Sequence, residues 1–191
     1  MPSPNEFPIL PFASAVHFEH WMIDHHGSDD GVWIKIAKKA AGIVSVTYDE
    51  ALDVALCHGW IDGQRKSHDD RFFLQKFTPR RPRSLWSKRN IAKVAALTAA
   101  GRMQSSGMAE IEAAKQDGRW EAAYDSPKDM VVPEDFLEAV RGNAVAQACF
   151  EVLSKSNLYA IGWRLATAKT PETRKRRFNS LLAMLETGEF R

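Results

Sequence analysis

Cysteine is scarce in this chain: Cys57 and Cys149 are the only two among 191 residues. They lie far apart, each within an apolar helical pattern and neither at metal-ligand spacing. Both read as reduced core thiols in a reducing compartment. Long hydrophobic runs are missing too, since no stretch approaches the roughly 20 apolar residues of a membrane span. The start, Met1-Pro2-Ser3-Pro4-Asn5-Glu6, lacks the positive region and apolar run of a secretory signal. These absences predict a soluble, cytoplasmic protein with no membrane insertion. Neither sign of charge dominates: 26 basic residues face 24 acidic ones, and so small a net charge does not by itself argue for nucleic acid. No internal repeat or low-complexity tract stands out. Gly-x-Ser-x-Gly, a phosphate loop and a dinucleotide fingerprint are all absent.

What is present is enough apolar residue, 45% of the chain, for a real core. The length suits one domain, or one domain with a small helical appendage. Residues 1–13 are Pro-rich and read as a partly ordered lead-in. A helix is expected over 14–26 from Val16, Phe18, Trp21 and Met22, with Ser14 as its cap. Residues 32–37 (Val-Trp-Ile-Lys-Ile-Ala) have the β-branched and aromatic content of a strand. Thr47 and Glu50 form a capping box for a helix reaching about His58, with Ala51, Leu52, Ala55 and Leu56 inward and Gly59 at its end. Residues 60–66 and 71–77 read as strands joined by a polar turn at 67–70. Pro79 and Pro82 exclude regular structure after them. Ser87 should cap a helix to Ala100, with Ile91, Val94, Ala95 and Thr98 inward. A short helix follows over 108–116. Residues 126–132 are the one plausible linker. Beyond it, helices are expected to open at Pro133, Asn143, Ser156 and Thr170-Pro171. The expected fold is α+β and mostly helical: a small antiparallel hairpin or sheet packed on helices over 14–125, and a helical unit over 133–188. In the second unit Phe136, Phe150, Leu153, Trp163, Leu165 and Leu185 are expected in the core.

The chemistry gathers in residues 58–66 and 77–90, where Trp supplies rigid walls with a donor edge and Arg supplies planar donor forks. The candidate anion site is Trp60, Asp62, Arg65, Arg80, Arg81, Trp86, Ser87 and Asn90. An anion would sit at the helix start near Ser87, where free amides and the helix dipole favour negative charge. The competing reading of the same residues is structural: Asp62 pairs with an Arg of the Pro-rich loop and ties it to the hairpin. The two roles can coexist. The basic runs 80–89 and 174–177 raise nucleic-acid binding, but no helix-turn-helix, zinc finger or aromatic RNA-binding signature supports it. His25, His26, Asp29 and Asp30 read as a polar loop, because adjacent histidines are poor joint metal ligands. His58 and His68 have no evident acid or nucleophile partner. No metal, cofactor or catalytic residue is assigned.

Six motifs occur in order: Gly59-Trp60-Ile61-Asp62-Gly63, Phe77-Thr78-Pro79-Arg80-Arg81-Pro82-Arg83-Ser84, Trp86-Ser87, Gly101-Arg102-Met103, Asp117-Gly118-Arg119-Trp120, and Ala168-Lys169-Thr170-Pro171-Glu172-Thr173-Arg174-Lys175-Arg176-Arg177. Together they resemble the YdeI/OmpD-associated family, also called bacteriocin-protection proteins, from about residue 18 to about residue 188. The resemblance implies a stress or envelope-protection role in bacteria. It brings no biochemical activity, so no catalytic residue is carried over. The expected function is a non-enzymatic cytoplasmic protein that binds a small anion, with its protein partner unidentified. The alternatives are a small enzyme using Asp62 with the Arg80/Arg81 loop, or a nucleic-acid binder.

Overall fold

The computed structural model describes residues 7–28, 30–126 and 129–190. Asp29, the N-terminal stretch 1–6 and residues 127–128 of the expected linker lie outside them. The chain divides into two compact units, one of residues 1–86 and 90–122, the other of residues 87–89 and 123–191.

The first unit is built on a four-stranded sheet in the order β1-β2-β4-β3. Its strands are β1 (Ile9–Pro11), β2 (Val32–Ala37), β3 (Trp60–Ser67) and β4 (Phe72–Pro79). The expected hairpin is β3–β4, antiparallel, and β2 pairs with the other edge of β4, also antiparallel. The lead-in departs from expectation, because Ile9–Pro11 adds a parallel edge strand to β2. An edge strand tolerates proline because one side of its backbone needs no ladder partner. Pro79 ends β4, paired with Trp60, rather than lying outside the sheet; β4 is an inner strand, but Pro79 stands beyond its last pair with β2, Val32–Phe77.

Register decides which side chains share a face. Phe73, Gln75 and Phe77 point inward, so their partners Ser67, Arg65 and Asp62 do as well. Ile36, Ile34 and Val32 join them from β2. Phe72, Leu74 and Lys76 point outward with Ala37, Lys35 and Trp33. Between Asp62 and Arg65 the register shifts by one residue, so both Gly63 and Gln64 stand opposite Lys76. The carbonyls freed by this bulge are taken up by Gln75, whose buried Nε2 donates to Gly63 O at 2.9 Å and Gln64 O at 3.3 Å.

Helices α1 (Ala15–His25) and α2 (Tyr48–Cys57) supply the inner layer. Phe18 and Met22, one turn apart on α1, are buried, and Phe18 meets Phe77 at 5.9 Å. Val16 is exposed, and Ser14 bonds the His17 ring instead of capping the helix. On α2 the capping box forms as expected, with Thr47 N–H donating to Glu50 and Thr47 Oγ1 accepting from the Glu50 amide. Ala51, Leu52, Ala55 and Leu56 are all buried. Gly59 then turns the chain into β3 with φ of 79°, a left-handed conformation that glycine adopts freely. Of the stripe expected on helix α3 (Lys88–Ala99), Val94 is buried and Ile91 half-buried, whereas Ala95 and Thr98 are exposed and Asn90 and Leu97 are buried in their place. Helix α4 (Ser105–Gln116) crosses the end of α2, where Gln104 N–H donates to Cys57 O at 3.0 Å.

The second unit contains α5 (Glu134–Arg141), α6 (Ala144–Glu151), α7 (Lys155–Ala166) and α8 (Pro171–Glu186). Asn143 and Thr170 cap α6 and α8 as expected, whereas α7 is capped by Ser154 rather than Ser156. Phe136, Leu165 and Leu185 are core residues, joined by Val140, Ala146, Ile161 and Leu181. Phe150 and Leu153 pack against this core only half-buried, and Trp163 meets Tyr124 edge-on at 6.1 Å. Arg174 forms a two-pronged ion pair with Asp135, at 2.7 and 2.9 Å. Arg177 donates to Arg164 O. Half of the basic run 174–177 is therefore engaged within the unit.

Candidate functional site

The eight residues singled out by composition do not form one pocket. Trp60 is 1% exposed and its indole N–H donates to His26 O at 2.9 Å. It stands edge-on to Trp21, which stacks on His25 at 4.3 Å. Arg80 is 6% exposed and lies flat on Trp86, 3.5 Å from the ring centroid, while donating to Leu85 O. Trp86 is itself 2% exposed and packs on Trp120 at 5.1 Å. Arg119 bonds Asp117 and reaches Ser84 O in the Pro-rich turn. A guanidinium stacked on a buried indole is worth about 2 kcal/mol when desolvated, so Arg80 and Trp86 brace the Pro-rich turn. Ser87 precedes α3 and its backbone bridges to Tyr124, and Asn90 is buried in the first turn of that helix.

Asp62 accepts a 2.8 Å bond from the Tyr48 hydroxyl. The expected tie between Asp62 and an Arg of the Pro-rich loop is replaced by one to α2, because strand alternation aims Asp62 inward. Arg81 lies on the other face of the sheet. It lines a shallow cleft of about 190 Å³ with Ile61, Gly63, Lys76, Thr78 and Ser84. Arg83, between them in the turn, has φ of 68°, an uncommon conformation for a residue with a side chain.

Arg65 reaches a second, roomier cleft. The bulge returns it to the inner face, where its guanidinium covers Phe73 at 3.8 Å. It lines a cleft of about 550 Å³ together with Lys38, Lys39, Ser45, Thr47 and Tyr48. Ile36, Ile43, Val46 and Phe73 supply the apolar walls, and no lining residue is acidic. Among the described residues Lys38, Lys39 and Arg65 have no carboxylate partner. Sequence reasoning missed Lys38, Lys39 and Tyr48. The capping box was the available signal for Tyr48, since it fixes where α2 begins.

Two buried groups sit at the other end of α2. His58 is 4% exposed, and neither of its ring nitrogens has a hydrogen-bond partner among the described residues. Burial holds it below the ordinary histidine range; the His26 ring at 5.3 Å acts the same way, and Glu19 opposes both. Burial also pushes the Cys57 thiol up to about 11, which makes it a poor nucleophile. Cys57 and Cys149 are both free. Among the described residues no group of three His, Cys, Asp or Glu is placed to hold a metal ion, and no helix is long and apolar enough to cross a membrane.

A family model described as "Domain of unknown function (DUF8412)" matches residues 10–110, more than half of the chain. The chain belongs to this family. A second model, "Bacteriocin-protection, YdeI or OmpD-Associated", matches residues 129–188. The C-terminal unit thus carries a domain of the family that the six motifs resemble. The motifs from Gly59 to Met103 fall within the first model, and Asp117–Trp120 lies between the two. No curated protein and no solved structure gives a significant match.

Proposed function

We propose that this chain is a cytoplasmic bacterial binding protein, not an enzyme, that holds a small organic anion in the Arg65 cleft as part of a stress or envelope-protection role. In this reading the ligand is held by the unit of residues 14–125, and residues 133–188 form the helical bacteriocin-protection unit. The observation that carries it is the cleft itself: three cations and a phenol converge over apolar walls with no carboxylate among them. Its volume falls in the range of small-molecule sites, and such sites combine apolar walls with a few polar groups that fix orientation. Arg65, laid flat on Phe73, presents a planar fork suited to a carboxylate or phosphate. Tyr48 gives its hydroxyl proton to Asp62, so its oxygen is left to accept a bond from a hydroxyl or amine of the ligand. The family's bacteriocin-protection description supports the protective role.

The test is a thermal-shift and calorimetric titration with inorganic phosphate, nucleotides and small dicarboxylates at matched ionic strength. A ligand at about 100 times its Kd stabilises the folded state by about 2.7 kcal/mol. Arg65→Ala should abolish the shift, and Arg65→Lys should restore only part of it. The reading is wrong if no compound shifts the melting temperature, or if the shift survives Arg65→Ala combined with Lys38→Gln.

A further inference from the structure

The opposite face of the same sheet carries a second arrangement, built from different residues. Four aromatic–cation contacts lie on or beside it. Lys66 Nζ is 4.3 Å from the Trp33 ring, Lys35 Nζ is 4.3 Å from Phe72, Lys76 Nζ is 4.2 Å from Phe7, and the Arg71 guanidinium is 5.8 Å from Phe72. Trp33, Phe72 and Phe7 are only half-buried. The four strands contain a single acidic residue, Asp62, and it points inward to Tyr48. The β3–β4 turn, at one end of this face, carries two exposed acids, Asp70 and Asp69, the second also accepting from the amides of Arg71 and Phe72. Lys76 also lines the cleft that holds Arg81, so positive charge continues from the sheet face into the Pro-rich turn.

We propose that this outer face binds single-stranded nucleic acid, with bases stacking on Trp33 and Phe72 and phosphates meeting Lys35, Lys66 and Lys76. A sheet face with partly exposed rings offers stacking that only unpaired bases can use. The lysines resting on those rings are held by weak contacts. A base can displace them, and each ammonium then swings on its flexible stem to a phosphate. An acidic peptide would satisfy the charge but leave the rings unused. The route that the sequence suggests, stacking on Trp86, is closed because that ring is buried against Arg80 and Trp120. This proposal uses no residue of the Arg65 cleft and stands independently of it.

The experiment is fluorescence anisotropy of a labelled oligo(dT) of about a dozen nucleotides, titrated with the whole chain at several salt concentrations. Three phosphate contacts predict a log–log salt slope of about −2, since each contributes about 0.7 on a single strand. Lys66→Gln, an exposed substitution, should reduce the slope by about 0.7. Trp33→Ala should weaken binding about tenfold without altering the slope, and Trp33→Phe should recover most of that loss, which a merely structural role would not show. Small-anion thermal shifts should persist in Lys66→Gln, so failure here and failure at the cleft are distinguishable. The proposal is overturned if oligo(dT) gives no anisotropy change at low salt, or if Lys66→Gln leaves the slope unchanged. It is equally overturned if a duplex binds as tightly, or if poly-glutamate competes as well as oligo(dT).

Discussion

Replacing Gly107 by alanine tests the crossing of α2 and α4 more sharply than any deletion of a side chain. Gly107 lies inside α4, where alanine ordinarily gains about 1 kcal/mol over glycine. At this position a Cβ would stand 2.8 Å from Cys57 C and 2.2 Å from Cys57 O, the second more than 1 Å short of ordinary contact. The obstacle is backbone, and it is fixed by its bond from Gln104 N–H, so it cannot swing aside as a side chain would. Overpacking of this kind costs about 3 kcal/mol. Shifting α4 also sacrifices the Gln104–Cys57 bond, worth about 1 kcal/mol. Set against the helix gain, the net is a loss of about 3 kcal/mol. For a chain of this length that corresponds to a fall in Tm of roughly 6–12 °C. Far-UV circular dichroism during heating measures it. Ala113→Gly, at an exposed position of the same helix, should cost only about 1 kcal/mol and isolates the propensity term. If Gly107→Ala melted at or above the parent temperature, the close approach of the two helices would be wrong.

In the second unit, Phe136→Ala should cost about 3–5 kcal/mol because Phe136 is wholly buried. Phe150→Ala should cost clearly less, and a reversed order in urea unfolding would misplace the core. Stability should also depend on His58. Its folded pKa is depressed, so below about pH 6.5 the unfolded chain binds a proton that the folded chain resists. The stabilisation is complete above that pH and is lost as pH falls toward the folded value. Urea midpoints should therefore drop between about pH 7.5 and pH 5.5, and His58→Phe should flatten the decline. An unchanged slope in the variant would assign the effect to other groups.

Local signals were the legible ones. Thr47 with Glu50, the polar turn between β3 and β4, and Asn143 each specify their own element through bonds within a few residues. The three-residue β1 was not legible, because it is stabilised only by pairing with β2 more than 20 residues away. Arg80 shows the same limit in the site. Its sequence neighbours mark it as a loop cation, yet it is buried, stacked on Trp86, which in turn packs on the distant Trp120. The inward aim of Asp62 followed from alternation with Trp60. Its partner came from α2, which no motif near Asp62 announces. Composition groups Arg65 with Trp60 and Asp62, but strict alternation sends it outward, and only the bulge returns it to their face.

The extra residue in β3 changes what this strand can lose. Removing one residue from a regular strand carries every later side chain to the opposite surface. Here Gly63 and Gln64 already exceed regular pairing by one. Loss of Gln64 would restore strict alternation and leave Arg65 inward and Lys66 outward. Loss of Gly63 would do the same, whereas a loss elsewhere between Trp60 and Ser67 would displace or remove a side chain that the bulge now sorts. The hairpin therefore has a single place where its length can change by one residue while its two cationic surfaces keep their identities.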